Sequence, residues 1–380
     1  MPSQEFAQLE LRNEDEMNEP LASVAMVVCN VDRFLAEAIE SILRQTFRDF
    51  EFIIVDFGST DKSKTIISDY AATDRRIRLH EIPHCGLAEA RNAACLLARG
   101  RYIAIMDADD VSIEDRLMRE IEFMEEHPEV GVVGGATQWI DPTGRPLHVQ
   151  YFPAGDREIR STLLSSSALC QSAALIRREA FLGVGGYRPS LVPSEDYDLW
   201  LRIADHFQLA NLQRIIVKYR VHPYQLSFRK LTHQILCALA ARTASSSRRD
   251  GRPDPLKSVE EISPEVLAGL GVSQAKQQTA ILRGHLWWIR MMYTIGEYSS
   301  ALNAGVGILQ SSDWKYAERW AIADVRLVVA WLYWRQKRFL RSVTTAGHAV
   351  LTRPIVVGRP VKAVLRRLHS RMAQQETGAT

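Results

Sequence analysis

Three carboxylates, Asp107, Asp109 and Asp110, fall within four residues of the stretch Met106-Asp107-Ala108-Asp109-Asp110. Crowded acids repel one another unless a cation sits among them. Hard oxygen ligands of this kind suit Mg2+ or Mn2+, which takes one or two protein carboxylates and completes its shell with ligand phosphates. A solvated acidic turn ahead of a helix near Asp115 is the plainer alternative. Another acid, Asp56, ends the apolar run Phe52–Val55 and precedes Phe57 and Gly58. Glu195-Asp196 stand where a loop opens into a helix, whose N-terminus can hold a carboxylate ionised for general-base work. An N-cap followed by an Asp198–Arg202 surface pair is the competing reading there. Arg91 and Asn92, set among the small residues of Gly86 to Ala94, either reach a phosphate or sugar or are solvated. His222 either meets a metal or diphosphate or is an ordinary loop histidine.

The elements that must position these groups alternate. Val24–Val28 reads as a strand, and Phe34, Leu35, Ala38, Ile39, Ile42 and Leu43 form one stripe of a following helix. A strand at Phe52–Val55 leads to a helix capped by Ser59-Thr60-Asp61. A strand at Ile77–Glu81, a helix from about Leu87 to Ala98 stopped by Gly100, a strand at Tyr102–Met106, a helix at Asp115–Glu126 and a strand at Val130–Gly134 follow. The order predicts a mostly parallel sheet covered on both faces, with ligands bound beyond the carboxyl ends of its strands. Asp56 and the acids after Met106 then converge on one edge. A last strand is expected at Ile215–Val221.

At 380 residues the chain suits two domains. We expect a flexible acidic tail at 1–20, an α/β domain at 21–241, a Ser/Arg/Pro-rich linker at 242–264, a helical basic module at 265–372 and a tail at 373–380. Within the module, Gly296 to Leu302 and Arg338 to Ala346 each follow an aromatic-rich helix, hinting at two helix–turn–helix units. The net charge of +2 is unevenly spread, because no acid lies between Asp324 and Glu376 while eleven arginines and lysines do. That asymmetry points to an anionic surface such as a membrane leaflet, with a solvated helical bundle as the alternative. Nucleic acid is not expected as a partner. Five scattered cysteines without CxxC spacing fit a reduced compartment, and Leu327–Trp334 is far short of the roughly 20 residues that span a bilayer. A cytoplasmic protein, peripheral at the inner face of the cell membrane, is the expectation. Gly183-Val184-Gly185-Gly186 is not GxGxxG, and no Walker lysine motif, HExxH or GxSxG occurs.

Over about Ser23 to Ser227 the order of segments resembles the family 2 glycosyltransferases of GT-A fold. The stretches that carry it are SVAMVVCN, FLAEAIESILRQTFRDFEFIIVDFGSTD, GLAEARNAA, GRYIAIMDADD, GGYRPS, SEDYDLWLRIADH and KYRVH. The resemblance implies a Rossmann-like GT-A sheet, a nucleotide-sugar donor, a glycan or lipid-linked acceptor, a divalent metal and inversion at the anomeric carbon. It places Asp56 in the nucleoside-reading loop, Asp109 and Asp110 in the metal motif with Asp107 just ahead, and Asp196 as catalytic base beside Glu195. Arg91 and Asn92 fall on the donor side, Trp200 and Arg202 on the acceptor side, and His222 near the metal. The sequence departs from the family in the base pocket. Phe57 replaces a second acid, Cys29 a tyrosine and Val27 a proline. Phe57 then supplies a stacking face for the base, or Asp56 and backbone groups suffice, or donor binding is lost and the chain is a non-catalytic nucleotide- or glycan-binding relic.

Overall fold

The computed structural model describes residues 19–311 and 314–354. The tail at 373–380, nearly all of the tail at 1–20 and the basic positions Arg359, Lys362, Arg366, Arg367 and Arg371 lie outside the described residues. In chain order come β1 (Ala22–Val28), α1 (Asp32–Leu43), β2 (Phe50–Asp56), α2 (Ser63–Thr73), β3 (Ile77–Glu81), α3 (Leu87–Leu96) and β4 (Tyr102–Asp107). Next are β5 (Val111–Ser112), α4 (Arg116–Glu126), β6 (Val130–Ile140), β7 (Pro146–Gln150), α5 (Asp156–Leu163), β8 (Leu175–Arg177), α6 (Arg178–Gly183), α7 (Glu195–Ile203) and β9 (Gln208–Arg220). Seven helices complete the described chain: α8 (Leu226–Arg229), α9 (Leu231–Arg249), α10 (Pro264–Gly269), α11 (Gln274–Thr294), α12 (Tyr298–Gln310), α13 (Arg319–Arg335) and α14 (Phe339–Thr352).

Two compact units share this chain. Among the described residues the first takes 19–138, 152–189 and 202–219, and the second takes 139–151, 190–201, 220–311 and 314–354. The expected break at 241 and the linker at 242–264 are therefore corrected. Helix α9 runs unbroken to Arg249, and the breakers Gly251, Pro253 and Pro255 act only beyond it. Serine and arginine tolerate a helix interior, so composition alone placed the linker too early.

In the first unit the strands run in the order β3-β2-β1-β4-β8-β6-β9-β5. The β3-β2-β1-β4 half is parallel, while β4 with β8, β8 with β6 and β5 with β9 pair antiparallel, so the sheet is mixed. The parallel strands read as unbroken apolar runs because both faces are covered. On one face Val24, Met26, Val28, Phe52 and Ile54 pack with Leu35, Ile39 and Ile42 of α1, Ile67 of α2 and Leu117 and Ile121 of α4. On the other, Ala25, Val27 and Ile105 line a small hollow with Arg91, Ala94 and Cys95 of α3. Helix α2 starts later than its expected cap, at Ser63. Asp61 instead serves two helices, accepting from Ser63 N at 2.9 Å through Oδ1 and from Asp32 N, at the head of α1, at 3.0 Å through Oδ2. Gly100 acts less as a helix stop than as a close approach, since a Cβ there would sit 2.6 Å from the Ala22 carbonyl carbon.

A buried ion pair ties α4 to the sheet. Arg116 Nε donates to Glu120 Oε2 at 2.9 Å with both side chains fully buried, and its Nη2 donates to the carbonyls of Ile105 and Ala174. Burial pushes the Glu120 carboxyl up to about 7 against the pull of Arg116. Glu120→Ala would strand the Arg116 charge in apolar surroundings, and the expected loss is about 3–5 kcal/mol. Urea unfolding reads it directly, and an unchanged midpoint would show the pair to be dispensable.

The second unit is largely helical. The two expected helix–turn–helix units are present as α11–α12 and α13–α14, and both hairpins turn on the same device. Gly296 (φ +88) and Lys337 (φ +58) take the left-handed conformation after the first helix. Gly296 N then donates to Tyr293 O and Glu297 N to Met292 O, matched by Lys337 N to Trp334 O and Arg338 N to Tyr333 O. This is the paired hydrogen bonding of a Schellman helix end. Among the described residues no helix is long and apolar enough to cross a membrane.

Candidate active site

Strand β1 sits where the sheet order reverses, with β2 on one side and β4 on the other, the position at which open α/β sheets bind ligands. The register pairs Val28 with Asp56 and Val27 with Asp107. Both acids thus end their strands at the same sheet edge, two strand spacings or about 10 Å apart.

Asp56 is fully buried, and its Oδ1 accepts from Gly58 N and Ser59 N, both at 3.0 Å. Its Oδ2 is also buried and meets no hydrogen-bond donor among the described residues. A buried carboxylate oxygen without a donor is costly unless a ligand supplies one. The loop around it is held by hydrogen bonds. Asn30, in the left-handed conformation that asparagine tolerates, accepts through Oδ1 from Thr60 N at 2.8 Å, and its own N–H donates to Ser59 Oγ at 3.1 Å. Phe57 N donates to Val28 O at 3.1 Å. Phe57 as a residue is only 9% exposed, and the ring of His84 lies nearly parallel to its ring with centroids 6.2 Å apart. The Phe57 carbonyl can only accept, so His84 Nδ1, at 3.1 Å, carries the proton. The stacking face expected of Phe57 is therefore largely covered, and the exposed ring at this loop is His84. Cys29 is half-buried, and its thiol is pushed up by burial and then by Asp56, Asp61 and Cys85. Val27 is half-buried and lines the hollow beside Arg91 and Asp107.

The acidic motif divides its labour. Arg91 Nη2 donates to Asp107 Oδ1 at 2.7 Å, and Ser172 Oγ donates to Asp107 Oδ2 at 3.0 Å. Both Asp107 oxygens are thus engaged by the chain, which turns this acid into a brace for the loop after β4. Asp110 N donates to Asp107 O at 3.3 Å, closing a tight turn that leaves Asp109 half-buried and Asp110 fully buried. Val111 pairs with Lys218 across β5 and β9, so the next antiparallel step sets Asp110 opposite Tyr219. The Tyr219 phenol is pushed well above its ordinary value by burial and then by Asp110, Cys170, Asp109 and Asp107. It stays a neutral hydroxyl among carboxylates. Sequence reading missed Tyr219, Ser172, Asn30 and His84, since only strand pairing and loop packing bring them to the acids.

Asn92 is committed elsewhere. Its Oδ1 accepts from Tyr187 N and its Nδ2 donates to Tyr187 O, both at 2.8 Å, so it clamps that segment. Among the described residues no three of His, Cys, Asp and Glu gather into a metal cluster. Asp109 and Asp110 are adjacent in the chain, the first half-buried and the second fully buried, and carboxylate oxygens are the ligand type that Mg2+ or Mn2+ takes.

In the second unit, Glu195 and Asp196 open α7. Glu195 is 2% exposed and adds to the burial that pushes the Cys237 thiol up to about 12. Asp196 is the more exposed member of the pair, and its Oδ1 accepts from Tyr197 N at 2.7 Å. Asp198 is fully buried and Arg202 nearly so, so neither stands on the surface where a solvated pair was the competing reading. The acceptor-side reading of Trp200 and Arg202 is corrected as well. Trp200 is 0% exposed, and Arg202 donates to the carbonyls of Val184 and Gly186 at 2.7 Å each. Core packing and carbonyl capping occupy them. His222 is buried in the turn after β9, where its N–H donates to Gln225 Oε1 at 3.2 Å.

A sequence profile of glycosyl transferase family 2 matches residues 23–184, the segment that supplies the β1, β2 and β4 strand ends. An uncharacterized glycosyltransferase of Methanocaldococcus jannaschii is 32% identical over 212 residues, covering 54% of this chain and 72% of the relative. The chain belongs to glycosyltransferase family 2. The O-antigen biosynthesis glycosyltransferase WbnJ of Escherichia coli is 29% identical over 206 residues, 53% of this transferase and 80% of that relative. In fold, the transferase is similar to S. aureus TarS 1-349 in complex with UDP-GlcNAc, with a TM-score of 0.50 at 16% identity over 86% of this chain and 90% of that one. The GT-A fold and the transferase activity expected from the sequence therefore stand.

Proposed function

We propose that this transferase moves a sugar from a nucleotide-diphosphate donor to a hydroxyl acceptor with inversion, in the synthesis of a cell-surface polysaccharide or glycolipid. The observation that carries the donor assignment is the buried Oδ2 of Asp56, an acceptor waiting for a ligand N–H at the end of β2. A nucleobase edge supplies such a donor, and the exposed ring of His84 offers it an aromatic face. The O-antigen role in the name of the WbnJ relative supports the cell-surface setting.

In this reading Asp109 and Asp110 hold a divalent ion, Mn2+ or Mg2+, which when bound offsets the charge growing on the departing diphosphate. Asp107 fixes the loop that presents them, through Arg91 and Ser172. Asp196 accepts the proton of the acceptor hydroxyl while that oxygen bonds to the anomeric carbon. The bond from that carbon to the diphosphate oxygen breaks on the opposite side, and its electron pair leaves with the nucleoside diphosphate. A donor-hydrolysis screen across UDP-, GDP- and dTDP-sugars with and without Mn2+ tests the assignment. Turnover of one donor class, dependent on the metal, is expected. Binding without any turnover would favour the non-catalytic reading that Phe57 and Cys29 raise.

A further inference from the structure

Helix α14 packs one face inward and shows an apolar face to solvent. Ser342 and Ala349 are buried, with Ser342 Oγ donating to Ala330 O of α13 at 2.8 Å and Ala349 packed on Ala323 and Leu327. On the opposite side of the helix, Leu340, Val343 and Leu351 are 85%, 66% and 80% exposed, spaced at i, i+3 and i+11 with Gly347 between. At the head of this stripe Trp334 and Phe339 meet edge to face with centroids 4.8 Å apart, and each is about half exposed. An apolar stripe this open on a folded helix marks an interaction surface.

Its charges say what kind. Lys337, Arg338 and Arg341 line the same open hollow as Phe339 and Leu340, and no acid lies between Asp324 and Glu376 in the chain. Among the described residues none of these three cations makes an ion pair. A second copy would bring a like-charged patch against this one. The following segment, with Arg359, Lys362, Arg366, Arg367 and Arg371, is also purely basic and would repel the patch if laid over it. Large apolar tips ringed by cations match an interface where hydrocarbon lies just beneath a layer of negative charge.

We propose that the outer face of α14, with Trp334 and Phe339, docks the transferase on an anionic lipid surface: Leu340, Val343, Phe339 and Trp334 enter the headgroup boundary, and Lys337, Arg338 and Arg341 pair with lipid phosphates. The inference stands apart from the catalytic assignments, because none of these residues belongs to the candidate site. The test is cosedimentation of the full chain with vesicles of phosphatidylcholine alone or with about one-third phosphatidylglycerol. Binding to the anionic vesicles only, weakened by salt, is expected. Arg338→Glu/Arg341→Glu and, separately, Leu340→Glu/Val343→Glu should each weaken it by about tenfold or more. These side chains are exposed, and an unchanged melting temperature checks that the fold persists. Absence of binding at low salt, equal binding to neutral vesicles, or variants that bind like the wild type would overturn the proposal. So would a wild-type oligomer in size-exclusion chromatography that Leu340→Glu/Val343→Glu dissolves, since a second copy would then be the occupant.

Discussion

Asp196→Asn is expected to cut the turnover of sugar transfer by about 10²- to 10⁴-fold, the contribution of a positioned general base. Asparagine keeps the shape of aspartate but cannot take the acceptor proton. Donor affinity should stay within about twofold of wild type, because a base that acts only in the transition state adds little to ground-state binding. Glu195→Gln makes a contrasting control. Glu195 is almost fully buried near Cys237, so its substitution should register in thermal stability more than in turnover. Steady-state kinetics with the donor found by screening reads both variants. Near wild-type turnover in Asp196→Asn would remove this residue from the chemistry.

The second large effect belongs to Asp110. Exchanging it for asparagine keeps the volume of a fully buried side chain but takes one negative charge from beside Asp109. Losing a preorganised stabiliser of a departing oxyanion costs about 10²- to 10³-fold in rate. We therefore expect Asp110→Asn to lose turnover on that scale and to bind the nucleoside diphosphate no better with Mn2+ than without it. Chelation of the wild type should reproduce the variant, and chelation of the variant should add little. Wild-type activity that survives EDTA unchanged would mean that Asp109 and Asp110 do not act through a metal.

Much of this arrangement was legible because the candidate acids Asp56 and Asp107 sit at strand ends. The apolar runs before Asp56 and Asp107 identify parallel strands, and the parallel order alone brings their ends to one edge. β3 falls on its expected residues, and the stripe on α1 is the one that packs. Contacts between segments distant in the chain were not legible. Nothing local in Lys218-Tyr219-Arg220 says that Tyr219 faces Asp110, because that follows from the pairing of β5 with β9. Nor does Ser172 announce itself as the partner of Asp107. Trp200 and Arg202 misled for a related reason. Polar and aromatic residues beside a candidate base look like substrate contacts until burial shows that one fills the core and the other caps carbonyls. The altered base pocket was visible as a substitution, but the replacement of Phe57 by His84 as the exposed ring depends on how the loop after β3 folds back.

Donor binding depends above all on Asp56 receiving a nucleotide at the switch point of the sheet. Calorimetric titration of the wild type and Asp56→Ala with UDP, GDP and dTDP in the presence of Mn2+ measures this directly. The prediction is saturable binding of at least one nucleotide by the wild type and a loss of about tenfold or more in affinity in the variant, the scale of one hydrogen bond to a charged group. Failure of all three nucleotides to bind, or equal affinity in Asp56→Ala, would contradict it.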